Sequence, residues 1–439
     1  MSHCRAPRPV LAAATALALV SISGAALPAL SRPADSIDRS DTSVEGVFSD
    51  DSPFYRELPD DTPVADDSEI LVSSLYQQGI DNYGQPDSPS LTINVYHWTA
   101  PLFAASTTDV QHDIRPWNCQ NKDPGWDAEL AGMLRGVHLP AAFEPDDTTD
   151  GNVSIYNVDT GQLVELWQAR QAPDGAWEAC WGGMIEDASR SQGSFPVPYG
   201  AAAGGLAMWG YTIRQQELLD GSINHVVGLG IPKVKRGVIS WPAVRTDGRE
   251  DGTELAMGQM LRLPADFDLD SLNLSPSART VAQAAQDYGI IITDTSGALA
   301  FAGEHASGLL DVRYEEIFRG RYSVEEMAGD PARGEDPFPL DQLVALPVDY
   351  GQDLPWPPEE PIAVDPESDP DADRDEVTSA GEDVSPTTAA ASPETTAAAP
   401  PETTSEAEEQ EAAIPWAAVL VGLLVAAGAA VAGLLLRRR

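Results

Sequence analysis

Apolar and polar residues alternate most regularly between Asn152 and Gly183, and the breaks in that alternation fall on turn residues. Residues 153–157 read as one strand, and Asp159-Thr160-Gly161 turns the chain into a second over 163–170. Pro173-Asp174-Gly175 turns it again into a third strand over 176–181. Strand-favouring residues bounded by D-x-G and P-D-G turns predict an antiparallel meander. Three strands alone are marginal in water, so the pattern also predicts a partner layer.

The same two-residue period recurs at 91–97, where Leu91, Ile93, Val95 and His97 share one face. Further strands are predicted at 225–231, 237–241 and 257–263. A closing hairpin is predicted from 290–292, through a turn at Thr295-Ser296-Gly297, to 299–302. Helical spacing appears at 124–134, at 213–219 ahead of Gly221, and most clearly at 276–288. There Ser275 is placed to cap the helix, Pro276 suits its first position and Gly289 ends it. The glycines and alanines of 199–210 predict a close-packed or ligand-approached loop. Together these elements predict a mainly β fold, an antiparallel β-sandwich or jelly-roll-like domain with a few short helices.

The ends of the chain follow other rules. Arg5 and Arg8 precede an apolar run over 10–20 and then small residues, which reads as a signal peptide over 1–26. Residues 416–436 hold no charge and are followed by three arginines at 437–439, which predicts a single transmembrane helix with a cytoplasmic tail. The formal net charge is −43, and much of it sits in the flanks. Residues 27–69 read as an acidic disordered leader and 353–415 as an acidic Pro/Thr/Ala-rich stalk. A β-rich ectodomain is left at 70–352, placed outside the cell membrane. The acidity disfavours nucleic acid and anionic lipid surfaces as partners.

Cys119 and Cys180 remain after removal of the signal peptide, and an oxidising exterior predicts that they pair. The chain contains no H-E-x-x-H, C-x-x-C or G-x-S-x-G motif, and Gly200 with Gly204-Gly205 fits no nucleotide fingerprint. The alternating acids Asp369, Asp371, Asp373 and Asp375 lack the glycine and the terminal glutamate of a calcium loop. No metal or cofactor is therefore expected.

Strand spacing places Glu165 and Trp167 on one face, and Trp177 and Trp181 on one face of the next strand. With His225, these residues form a candidate ligand-binding groove, since flat indole surfaces suit sugar rings. An inward Glu165 would need a partner and would hold its proton more tightly. Glu165, Glu178 and His225, with Asp187 nearby, are the weak catalytic candidates, because glycosidases use paired carboxylates. Core packing is the competing expectation for the tryptophans.

The ordered series Tyr156 to Gly161, Glu165-Leu166-Trp167, Trp181-Gly182-Gly183, Asp220 to His225, Ser240 to Ala243, Leu261-Arg262-Leu263 and Asp287-Tyr288-Gly289 resembles secreted or surface proteins of unassigned function from high-GC Gram-positive bacteria. The resemblance implies a secreted β-rich domain and carries no activity. The expected function is binding of an envelope glycan or another surface component. The alternatives are a carbohydrate-active hydrolase or lyase using a carboxylate in the Trp-lined groove, and a structural or protein-adhesion module without a small ligand.

Overall fold

The predicted meander is the spine of a four-stranded sheet. It is seen in a computed structural model that describes residues 47–319 and 323–354. Val153–Asn157 pairs antiparallel with Leu163–Trp167, which pairs antiparallel with Trp181–Ile185. Leu102–Ala105 joins the other edge of Val153–Asn157 in parallel. Gly175, at φ 84°, takes the left-handed conformation of the second turn and donates its amide to the Ala172 carbonyl at 2.8 Å.

The second and third strands do not run straight through. Gln168 has a φ of 52°, a break that ends the second strand at Trp167. Beyond it, Arg170–Gln171, Trp177–Ala179 and Arg115–Pro116 form a separate three-stranded sheet. The expected third strand therefore belongs to two sheets, with Cys180 at the bend. Cys180 is disulfide-bonded to Cys119, with the Cα atoms 5.2 Å apart across a sequence separation of 61. Closing a loop of that size is worth about 4 kcal/mol in the chain-entropy view.

A six-stranded sheet carries the larger core. Its order is Leu91–Asn94, Leu299–Ala302, Val227–Ile231, Ile290–Thr295, Met260–Arg262 and Val344–Ala345. The expected hairpin of 290–302 is absent as a pair. Val227–Ile231 lies between its two arms, parallel to one and antiparallel to the other. Residues 290–292 are at most 1% exposed, so both backbone edges need partners, and insertion of a third apolar strand supplies them. Residues 237–241 form no strand; Ile239 makes an isolated bridge to Met257.

Parallel and antiparallel pairs mix in both large sheets, and strand and helix occupy 22% and 24% of the described residues. The fold is thus partly β with mixed sheets, where the alternation predicted a mainly β, purely antiparallel one. Alternation favours antiparallel pairing, as in the meander, but it does not fix the direction of the strand that joins each edge.

The clearest predicted helix spans Pro276–Asp287. Ser275 accepts from the Ala278 amide at 3.2 Å, and Ala278, Val281, Ala282 and Ala285 are fully buried. One other segment corrects the domain boundaries. Residues 47–69, expected within a disordered leader, pack into the core: Val47, Phe48, Phe54 and Leu58 are at most 7% exposed. Their apolar residues are sparse among acids, which hides them from composition. Phe54 fills the space that Gly210 leaves by having no side chain, since a Cβ there would come within 2.1 Å of the ring. A helix over Ser68–Asp81 then buries Leu71, Val72, Leu75 and Gly79.

Among the described residues no helix is long and apolar enough to cross a membrane. The expected signal peptide, the first part of the leader, nearly all of the stalk, the transmembrane helix at 416–436 and the tail at 437–439 lie outside the described residues.

Candidate functional site

The expected groove does not form. Glu165 is fully buried: its Oε1 accepts from the Ser154 hydroxyl at 3.0 Å and the Met208 amide at 2.6 Å, while Oε2 has no hydrogen-bond partner. Burial, only partly offset by those donors, pushes its pKa up to about 8. Glu178 lies on the separate three-stranded sheet and accepts from the Arg170 guanidinium at 2.8 Å. The two carboxylates therefore serve different sheets and do not face one another across a cleft. Asp187 is spent on the Ser189 hydroxyl and amide.

The tryptophans are likewise divided. Trp181 is 1% exposed and stacks on Tyr199, with ring centroids 5.6 Å apart. Trp167 is half-buried opposite Trp181 in register. Trp177 is half-buried edge-on to Phe143 at 4.7 Å. Tyr199, Trp181 and the faces of Trp167 and Trp177 belong to the smaller of the two apolar cores. His225, 1% exposed, sits between the Glu217 carboxylate at 3.1 Å and the Val226 carbonyl at 2.7 Å, where it ties a short helix to the sheet. None of these residues lines either of two cavities found among the described residues, one of about 430 Å³ beside Arg262 and one of about 600 Å³ beside Lys233.

The sequence reading overlooked Trp98, which is 57% exposed. Leu91–Asn94 is a strand of the six-stranded sheet, after which the chain bends and Trp98 adopts a φ of 53°. The bend is held tightly. The Gly303 amide donates to the Asn94 carbonyl at 2.9 Å, the Ala306 amide to the Val95 carbonyl at 2.8 Å, and the Thr99 hydroxyl to the Gly303 carbonyl at 2.6 Å. Val95 and Thr99, on either side, are buried. The backbone is thus pinned while the indole points out, in a conformation that costs a large side chain about 1–2 kcal/mol.

Next to it, His97 meets the Trp98 ring edge-on at 5.6 Å, and its Nδ1 stands 3.5 Å from the Asp147 carboxylate, which is 75% exposed. An apolar plate flanked by an imidazole and a carboxylate can stack on a sugar ring and hydrogen-bond its hydroxyls. A signal was present in the sequence. Position 98 continues the phase of Thr92, Asn94 and Tyr96, the less buried face of the strand, and a tryptophan is out of place there.

Asp147 also stands with the buried Asp146 and His305, and the three bring one potential metal-ligand atom each within 4.8 Å of one another. The ligating atoms of Asp146 and His305 are spent internally. The Nδ1 of His305 accepts from the Ser307 amide at 3.1 Å, and its Nε2 donates to the Tyr96 carbonyl at 2.7 Å. Asp146, 3% exposed, accepts from both the amide and the hydroxyl of Thr148. Asp146 and His305 read as a polar brace tied to the backbone at Tyr96, two residues before Trp98.

No protein family, curated protein or solved structure matches the chain, so the functional reading rests on this geometry.

Proposed function

We propose that the chain is a membrane-anchored extracellular domain that binds carbohydrate of the cell envelope through Trp98, without catalysis. The observation that carries the reading is a tryptophan held outward in a left-handed backbone conformation by a hydrogen-bonded bend, beside His97 and Asp147. Strain of this kind at an exposed position supports a functional reading where, as here, polar side chains flank the ring. The disulfide between Cys119 and Cys180 is consistent with an oxidising exterior. The expected signal peptide at 1–26 and anchor at 416–436 give the same location. The hydrolase alternative lacks its carboxylate pair, because Glu165 is sealed and Glu178 is engaged by Arg170.

The test is a glycan array probed with the purified full-length chain and with Trp98→Ala. Binding to envelope oligosaccharides that falls at least about tenfold in the variant, with the melting temperature held within a few degrees, is the expected result. Absence of binding to every glycan, or binding indifferent to the substitution, overturns the reading.

A further inference from the structure

Charge at the Trp98 surface has one sign. Three stretches meet there, 91–114, 136–169 and 299–312, and together they hold ten acidic residues and no lysine or arginine. Their basic side chains are the imidazoles of His97, His112, His138 and His305. The first and last stretches are joined beside the indole by the Gly303 and Ala306 amides, which donate to the Asn94 and Val95 carbonyls, and by His305 Nε2, which donates to the Tyr96 carbonyl at 2.7 Å. The Ser307 hydroxyl donates to the Glu144 carbonyl at 3.5 Å and so draws in the middle stretch.

Asp147 is the acid nearest the ring by this chain of contacts. Its side chain is 75% exposed, and its Oδ1 stands 3.5 Å from His97 Nδ1. His97 in turn meets the Trp98 ring edge-on at 5.6 Å, so one imidazole joins the carboxylate to the indole. Among the described residues no lysine or arginine lies within 4.0 Å of Asp147 or of the exposed Glu144. Several exposed acids elsewhere are met by arginine: Asp174 by Arg115 at 2.9 Å, Asp251 by Arg236 at 2.8 Å and Glu316 by Arg313 at 2.6 Å. The Trp98 surface has no such counter-charge of its own.

We propose that the sugar bound at Trp98, on the carbohydrate reading this rests upon, is an amino sugar whose free ammonium group is held by the indole and the Asp147 carboxylate. An indole face attracts a cation through its quadrupole, more strongly than the ring of tyrosine or phenylalanine. The carboxylate adds a charge-assisted hydrogen bond from the same ammonium. The apolar C–H face of the sugar stacks on the ring while its amine reaches the acid. An N-acetylated sugar presents a neutral amide and leaves Asp147 without a counter-charge. A uronic acid or a phosphorylated sugar is repelled by a surface of this sign.

The experiment is calorimetric titration of the full-length chain with a glucosamine tetramer and, separately, with the N-acetylglucosamine tetramer, at low ionic strength and about pH 6.5, where a sugar amine is protonated. Trp98→Ala and Asp147→Asn are run alongside, with thermal melts to show that both stay folded. The glucosamine tetramer is expected to bind at least about tenfold more tightly than its acetylated counterpart. Asp147→Asn should abolish that preference while leaving the affinity for the acetylated tetramer within about twofold, and Trp98→Ala should weaken both. Trp98-dependent binding of the acetylated tetramer at equal or higher affinity overturns the amino-sugar assignment and leaves the carbohydrate reading standing. A preference for glucosamine that survives Asp147→Asn overturns the role of the carboxylate and with it the assignment. Binding of neither tetramer overturns the assignment, and the glycan array then decides the reading beneath it. An oligolysine control that binds through Trp98 where both sugars fail makes a cationic peptide the ligand and overturns both.

Discussion

At the scale of single residues, burial sets the chemistry of Glu165. Below its ordinary pKa of 4.5 the carboxyl is protonated in both the folded and the unfolded chain, and it adds no pH dependence. Between 4.5 and about 8 the unfolded chain has released the proton and the folded chain keeps it, so stability falls as pH rises. The slope is at most about 1.4 kcal/mol per pH unit, and it ends above pH 8. Glu165→Gln keeps an acceptor for Ser154 and Met208 and cannot ionise. It should lose less stability than wild type between pH 5 and pH 8, by about 2 kcal/mol or more, in urea titrations at the two pH values. Equal losses would mean that the buried carboxyl does not hold its proton. Asp294 adds a slope of the same sign in both chains.

Trp98 gives the opposite balance between fold and function. Trp98→Gly relieves the left-handed backbone, so stability should stay level or rise by up to about 1 kcal/mol while carbohydrate binding disappears. Thermal melts together with a binding assay separate the two effects. Glu165 and Trp98 also show what single positions reveal from sequence. The inward face of Glu165 follows from its phase between Leu163 and Trp167. The outward phase of Trp98 follows in the same way from Thr92, Asn94 and Tyr96, but the bend that pins it does not, because that bend is fixed by bonds to residues 303–306, some two hundred positions away.

At the scale of elements, local signals were legible where they were self-contained. The helix Pro276–Asp287 carries its cap, its first-turn proline and its terminal glycine within one stretch, and it forms as expected. Ser275 does two jobs there: its oxygen accepts from Ala278 and its hydroxyl donates to the Glu326 carbonyl at 3.0 Å. Ser275→Ala leaves both groups buried and unsatisfied and should cost about 1–2 kcal/mol in equilibrium unfolding. Strand pairing was less legible. The turn at 295–297 is real as a change of direction, yet its two arms pair with Val227–Ile231 and not with each other. Nothing local to 290–302 announces a strand inserted from 60 residues upstream. The bend at Gln168, which parts Trp177 from Trp181, was equally hidden, since it replaces one long strand by two short ones with the same apolar content.

At the scale of the whole molecule, charge misled the reading of the N-terminal boundary. Twelve acids between Ala34 and Glu69 mask the few apolar residues that matter. The Val226 amide donates to the Phe54 carbonyl at 2.6 Å, and the Leu58 amide to the Asp287 carbonyl at 2.7 Å, so this segment is stitched to the larger sheet and its helix. A truncated chain beginning at Ile70 loses Phe54, which is 0% exposed, and with it the packing against Gly210. It should unfold at markedly lower urea than a chain beginning at Gly46, by several kcal/mol, as core deletions of this size do. Equal midpoints would show the segment to be dispensable.

The central claim concerns the Trp98 surface, and the most direct measurement is the indole N–H spectrum of the full-length chain during titration with an envelope oligosaccharide. The Trp98 resonance is assigned by its loss in Trp98→Phe. The account predicts that this resonance shifts in a saturable way while those of the half-buried Trp167 and Trp177 stay in place. A saturable shift confined to other tryptophans, or no shift at any concentration reached, would contradict it.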